Sequence, residues 1–219
     1  EAVKSAYVIV MEPATGVDGA LKTERKGLGE FRISVTGRAS HAGAFPEKGV
    51  SAIEELAHQI LRIQAMKDWT AGTTVNVGLV NGGSARNTIP AEANAVVDVR
   101  VRTNEEGQRI TDALHDLKPV DSRTTLRVTG SLHRPPMERE GPVTELFGRV
   151  QSLAAELGLE LSEGSTGGGS DANLTAALGV PTIDGMGAAG ENPHADGEYL
   201  VASSLPERAE LLAHCLKEL

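Results

Sequence analysis

The sequence predicts an α/β protein: part of a three-layer α/β domain interrupted by an inserted α+β lobe of ferredoxin-like βαββαβ order. Three observations carry this reading. Residues 7–11 are an unbroken apolar run, Tyr7-Val8-Ile9-Val10-Met11, which suits a strand buried on both faces of a parallel sheet. Residues 27–131 read strand, helix, strand, strand, helix, strand, the split βαβ order of an antiparallel sheet with two helices on one face. From His133 onward strands and helices alternate again, as in a three-layer unit, so the first strand and the last segment are assigned to one sheet. The divisions are 1–26 and 132–219 for the interrupted domain and 27–131 for the insertion.

The first strand is stopped by Glu12-Pro13, which leaves Glu12 at a strand's carboxyl end, the edge where open α/β sheets bind ligands. Residues 15–26 are polar and contain glycine, and read as a connector. Phe31, Ile33 and Val35 alternate with polar residues, as a half-buried strand requires. Val50, Ile53, Ala57, Ile60 and Leu61 recur at helical spacing, through about Met66. Val75, Val77 and Leu79 alternate, as do Ala93, Ala95, Val97, Val99 and Val101. Glu105-Glu106 open a second helix at its positive end, with Ile110, Ala113, Leu114 and Leu117 inward. Leu126 and Val128 close the lobe with a strand, and its open sheet edge invites pairing with a second copy.

After Arg134-Pro135-Pro136, a stiff extended segment, Val143, Leu146, Phe147, Val150, Leu153, Ala154 and Leu157 mark a helix ended by Gly158. Residues 159–161 are expected as a short strand, 172–178 as a helix of small residues and 179–183 as a strand. A glycine-rich loop leads to His194. The closing helix, from about Ser203, turns Leu205, Ala209, Leu212 and Leu216 inward.

Composition excludes some partners. The net charge is −9, where nucleic acid or an anionic membrane needs a basic face. No run approaches the ~18 apolar residues of a membrane span. Aromatics are 3% of the 219 residues, so core burial rests on Val, Ile, Leu and Ala. The single cysteine, Cys215, allows no internal disulfide and suits a reducing compartment, so a cytoplasmic location is expected. The chain opens on Glu1 rather than Met, which suggests a fragment or a processed product.

Chemistry concentrates in three loops. In Gly37-Arg38-Ala39-Ser40-His41-Ala42-Gly43 a histidine sits among glycines and small residues with no apolar stripe to belong to. His194 lies in a loop beyond a strand, and the carboxyl-edge rule lets it converge with Glu12; carboxylate and imidazole suit zinc. Gly167-Gly168-Gly169 permits positive φ and close backbone approach, its amides can hold a carboxylate, and Ser170 or Asp171 can cap the next helix. No Gly-Lys-Ser/Thr follows, which disfavours a phosphate loop. Arg134 is presented on a stiff segment where a guanidinium fits a planar carboxylate. Taken alone, Arg134, Asn87 and Arg100 each read better as solvated surface groups, His58, His115 and His214 as structural or surface residues and Cys215 as a packed thiol. No Gly-x-Ser-x-Gly elbow supports a serine hydrolase.

Taken in order, Met11-Glu12-Pro13, the loop 37–43, Arg86-Asn87-Thr88-Ile89-Pro90, Asp98-Val99-Arg100, Arg134-Pro135, residues 166–171 and Pro193-His194-Ala195-Asp196 resemble the co-catalytic zinc carboxypeptidase and deacylase family. That family includes glutamate carboxypeptidase, whose branch the chain is most similar to, acetylornithine deacetylase and succinyl-diaminopimelate desuccinylase. The resemblance implies that Glu12 and His194 each bind one of two zinc ions. It implies that His41 stabilises an oxyanion in a partner subunit's active site, and that Asn87, Arg134 and the loop of Gly167, Gly168 and Gly169 hold a carboxylate substrate. The insertion would be the lid through which a homodimer forms. The family's amino-terminal half, with its His-x-Asp motif, bridging Asp and Glu-Glu pair, has no counterpart here; Glu54-Glu55 and Glu105-Glu106 fall in lid helices. Alone, the chain is therefore expected to be inactive. The alternative is a non-catalytic dimerisation or carboxylate-binding module without a complete metal site.

Overall fold

The computed structural model describes residues 1–219, with elements in the order β1 (Val8–Ile9), β2 (Leu21–Arg25), β3 (Gly27–Thr36), β4 (Ser40–His41), α1 (Ala52–Gln64), β5 (Thr74–Gly82), β6 (Thr88–Ile89), β7 (Glu92–Val101), α2 (Asn104–His115), β8 (Thr125–Arg134), α3 (Gly141–Glu156), β9 (Glu163–Thr166), α4 (Ala172–Ala177), β10 (Thr182–Ile183), β11 (Gly190–Glu191), β12 (Tyr199–Leu200) and α5 (Ser204–Glu218). Two units result: Glu1–Lys26 with Arg134–Leu219, and Gly27–His133. No helix is long and apolar enough to cross a membrane.

In the unit Gly27–His133 the alternating residues build a four-stranded sheet in the order β5-β7-β3-β8, the ferredoxin-like arrangement. Antiparallel pairing of β3 with β7 sets Phe31 opposite Val97 and Ile33 opposite Ala95, all buried on the face that α1 and α2 cover. Gly130 is required here: its φ is +114°, and a Cβ would stand 2.1 Å from the Glu30 carbonyl oxygen. Helix α1 starts at Ser51, whose side chain accepts from the Glu54 amide. The stripe it buries differs from the apolar count. Ala52, Glu55, Leu56, Gln59 and Ile63 face inward, whereas Ile53 and Leu61 are exposed. The rotation follows from Glu55, whose carboxylate accepts from the amides of Val120 and Asp121 and from Gln59 Nε2. Burial pushes that carboxyl up, but these donors outweigh it and hold its pKa below the usual range.

In the unit Glu1–Lys26 with Arg134–Leu219, β1 pairs in parallel with β10, joining the first strand and the last segment as the pattern predicts. Four details depart from it. The strand at 7–11 shrinks to Val8–Ile9, half-buried, with Met11 exposed, because only one of its edges is paired. The polar connector 15–26 contains β2, parallel to β9 and almost wholly buried. The strand expected at 159–161 lies at Glu163–Thr166 instead. Helix α5 buries Ser204, Arg208, Leu211 and Cys215 while Leu205 and Leu216 stay exposed. Arg208 sets that rotation, since its Nη2 donates to the Gly19 carbonyl. In both rotated helices a polar side chain with a backbone partner occupies the inward face.

Helix α2 follows the sequence pattern. Thr103 caps it, accepting from the Glu106 amide. Glu106 accepts from Arg109 through two 2.7 Å bonds and from Thr73 Oγ1 at 2.5 Å. Arg109, then Thr73, lower its pKa from 4.5 to about 2. A lowered folded-state value gives stability that is present above about 4.5 and is lost as pH falls toward 2. Glu106→Gln is accordingly expected to cost about 1–2 kcal/mol at pH 7, with the gap to the unsubstituted chain narrowing at pH 3 in urea unfolding. A gap independent of pH would contradict this assignment.

Candidate functional site

Glu12 follows β1, and His194 lies in the segment between β11 and β12, beyond β10. Both therefore stand past the carboxyl ends of parallel strands. The backbone at Glu12 is held by close approach: Gly187 N donates to the Glu12 carbonyl at 2.9 Å, and Ala14 N to Ala188 O at 3.0 Å. A Cβ on Gly187 would stand 2.8 Å from the carbonyl oxygens of Met11 and Glu12. His194 has φ +63° and Asn192 φ +61°, a left-handed conformation that side chains other than glycine adopt at a cost.

Glu12, Lys22, Arg25, Gly168, Gly169 and His194 line one cavity of about 560 Å³. The structure thus brings together the two expected metal ligands and most of the glycine loop. Gly167 adjoins that wall. Arg134 is not on it; its Nη1 donates to Ser170 O at 2.6 Å and to Asp171 at 3.1 Å. The triple glycine does not use positive φ. What it supplies is room, since nothing lies within 4 Å of a Cβ on Gly167, and Gly168 meets only side-chain ends at 3.8 and 3.9 Å. Asp171 is the residue before α4 but makes no side-chain cap; Ser170 Oγ accepts from the Ala172 amide instead.

The residues that fasten this wall carry no motif in the sequence. Asp184 is fully buried and accepts from Arg25 Nε, Ser170 Oγ and its neighbour Gly185 N, each at 2.5 Å. Arg25 Nη1 donates to Gly168 O at 2.8 Å, so one guanidinium links β2, β10 and the glycine loop. Lys22 and Arg25, in a stretch that reads as connector, are camouflaged by their polarity; the available signal is Ile183-Asp184-Gly185, a carboxylate directly after an apolar strand.

The other two expected site residues lie in the unit Gly27–His133. β4 pairs with β6, His41 opposite Thr88, and Ala42 N donates to Asn87 O at 2.9 Å, so His41 and Asn87 share one loop cluster. His41 Nδ1 accepts from the amides of Gly43 and Ala44 at 3.2 and 3.1 Å. In the neutral ring that pattern places the proton on Nε2, which faces away as a donor. Arg100 is engaged with Asp98 at 2.9 Å on its strand.

For a metal the donor set falls short. Glu12 and His194 are two donors, and no group of three or more His, Cys, Asp or Glu residues is placed to hold an ion. Zinc takes three or four protein ligands. The residues of this chain by themselves do not make a zinc site.

Breaking the buried pair is expected to be costly. Arg25→Met and Asp184→Asn should each destabilise by about 3–5 kcal/mol. The double variant should lose less than the sum by more than about 1 kcal/mol. Additive losses in urea unfolding would contradict the coupling.

Comparison with known proteins places this geometry in context. Residues 23–118 match the peptidase dimerisation domain of the M20 family. Over its whole length the chain is 30% identical to carboxypeptidase G2 of Pseudomonas sp. (strain RS-16), of which it covers 54%. Its fold is similar to the crystal structure of aminopeptidase PepT from Bacillus cereus ATCC 10987, with a TM-score of 0.78, 23% identity, all of this chain and 59% of that one. It is similar also to a dinuclear metal-binding peptidase of the M20 family from Bacillus subtilis, with a TM-score of 0.69, 18% identity, 94% of this chain and 54% of that one. The chain spans about half the length of the curated relatives it matches. Residues 23–118 thus match the M20 peptidase dimerisation domain, in a chain that is similar along its length to half of carboxypeptidase G2 and, in fold, to an M20-family peptidase.

Proposed function

We propose that this chain is the carboxyl-terminal portion of a zinc-dependent carboxypeptidase or amidohydrolase that cleaves the amide bond of N-acyl amino acids or small peptides bearing a free carboxylate, with carboxyl-terminal glutamate one candidate. The observation that carries the proposal is the convergence of Glu12, His194, Gly168 and Gly169 on one cavity. Similarity of the whole chain to 54% of a carboxypeptidase supports the same reading. In it, Glu12 and His194 are donors to a metal site completed by residues beyond this chain, and the chain alone is inactive.

The roles of this chain's residues are binding and orientation. His41 offers the Nε2 proton to the oxyanion that forms when the amide carbonyl is attacked, and the two backbone amides on Nδ1 hold the ring in the tautomer that can donate it. Arg134 and the loop of Gly167, Gly168 and Gly169 hold the substrate, and Asn87, a substrate-binding residue in the same reading, belongs with His41 to the unit Gly27–His133. A homodimer through the unit Gly27–His133 presents His41 to the active site of the second copy, and a cytoplasmic location is part of the same proposal.

The test is glutamate release from N-acyl-glutamates by the natural reading frame that contains this chain, beside the 219-residue chain alone. Turnover is expected from the longer protein only. His41→Ala in that protein should lower kcat by about 10²–10³ with dimerisation intact. Unchanged turnover in the variant would defeat the oxyanion role, and turnover by the 219-residue chain would defeat the shared site.

A further inference from the structure

Strand β2 carries a register shift between Lys22 and Glu24 in its pairing with β9. In a regular strand, residues three apart point to opposite faces. A bulge cancels one step, and bulges re-aim side chains beside binding sites. Here Lys22 and Arg25 both line the cavity, with 8% and 4% of their surface exposed. Two cations are therefore buried in one wall.

Their compensation is unequal. The buried carboxylate on this wall, Asp184, is committed to Arg25, Ser170 and the Gly185 amide. Lys22 Nζ donates to the Pro13 carbonyl and forms no ion pair with Glu12 or Asp184. An ammonium has three donors and a strong need for an anion when taken out of water. Burial, followed by the neighbouring Arg25 cation, lowers its pKa, and the nearby Asp184 and Glu12 carboxylates oppose that shift without cancelling it. Glu191 and Glu198 also line the cavity, but Glu191 accepts from Tyr199 Oη in the β11–β12 hairpin.

We infer that Lys22 is an anion-binding residue of the cavity, with its ammonium positioned by the β2 bulge to take a carboxylate oxygen of the bound ligand beside Gly168 and Gly169. Arg134, which holds the substrate in the proposed reading, lies off this wall, so on the β2 side of the cavity Lys22 supplies a second cation for an acidic group. The ligand class is a small organic acid or acyl amino acid with a carboxylate that reaches the β2 wall. This inference rests on the proposed reading of the cavity as the substrate site. It is tested without turnover, so failure of hydrolysis and failure of Lys22 binding are told apart.

The experiment is a titration of the 219-residue chain with glutarate, and in parallel with neutral glutaramide, followed by NMR of lysine labelled at Cε. Glutarate should shift the Lys22 signal saturably, and glutaramide should leave it in place. Lys22→Met should weaken glutarate binding about tenfold or more, as loss of a charge-assisted bond implies. Lys217→Met, the same charge change on the exposed last turn of α5, should leave it intact. The inference is overturned if glutarate leaves the Lys22 signal unmoved, if glutaramide moves it equally, or if Lys22→Met binds like the unsubstituted chain. Should Lys22→Met prove poorly folded, the labelled lysine in the unsubstituted chain decides alone.

Discussion

The candidate cavity depends on one buried ion pair. Arg25 on β2 and Asp184 after β10 meet at 2.5 Å with almost no exposure. Through Ser170 Oγ on Asp184 and Gly168 O on Arg25, the pair also sets the position of the glycine loop. A charge pair out of water is tolerated only when each partner's remaining hydrogen-bonding capacity is filled. Here Asp184 also takes the Ser170 hydroxyl and the Gly185 amide, and Arg25 also reaches Gly168 O, groups that fasten the wall of the site. What holds the fold together at this point and what shapes the cavity are the same contacts.

The second set of chemical groups is organised differently. His41 is exposed, and its ring is oriented by two backbone amides of its own turn rather than by a packed core. Such a group is open to what lies outside its own turn, and it falls in the stretch that matches the M20 dimerisation domain. The chain thus carries three separate features: a carboxylate and an imidazole, Glu12 and His194, on one cavity, a wall of that cavity rich in cations, and the oriented ring of His41. The relatives it resembles are about twice as long.

Most of the fold was legible because its strands alternate cleanly. Phe31, Ile33 and Val35, and Ala93 to Val101, turn every second residue inward, as the pattern demands. Glu12, His194, Gly168 and Gly169, singled out by motif and strand-end position, line one cavity, and Gly167 adjoins it. The illegible parts share a cause. β2, the inward faces of α1 and α5, and the Arg25–Asp184 network all bury polar side chains, namely Lys22, Thr23, Arg25, Glu55, Gln59, Arg208 and Asp184. A hydrophobic pattern assigns such residues to solvent, because the partners that offset the cost of their burial lie far away in sequence. Asp184 is 159 residues from Arg25, and Gly19 is 189 from Arg208. The absence of positive φ in Gly167–Gly169 has a simpler origin: composition states what a backbone is free to do, not what it does.

In the proposed function Glu12 and His194 are two donors to a metal site that residues beyond this chain complete, and that is its central claim. Equilibrium dialysis of the 219-residue chain against zinc at micromolar concentration, followed by metal analysis, is the deciding measurement. Two donors should retain far less than one zinc per chain. Stoichiometric zinc that survives dialysis and is lost in Glu12→Gln would contradict the account.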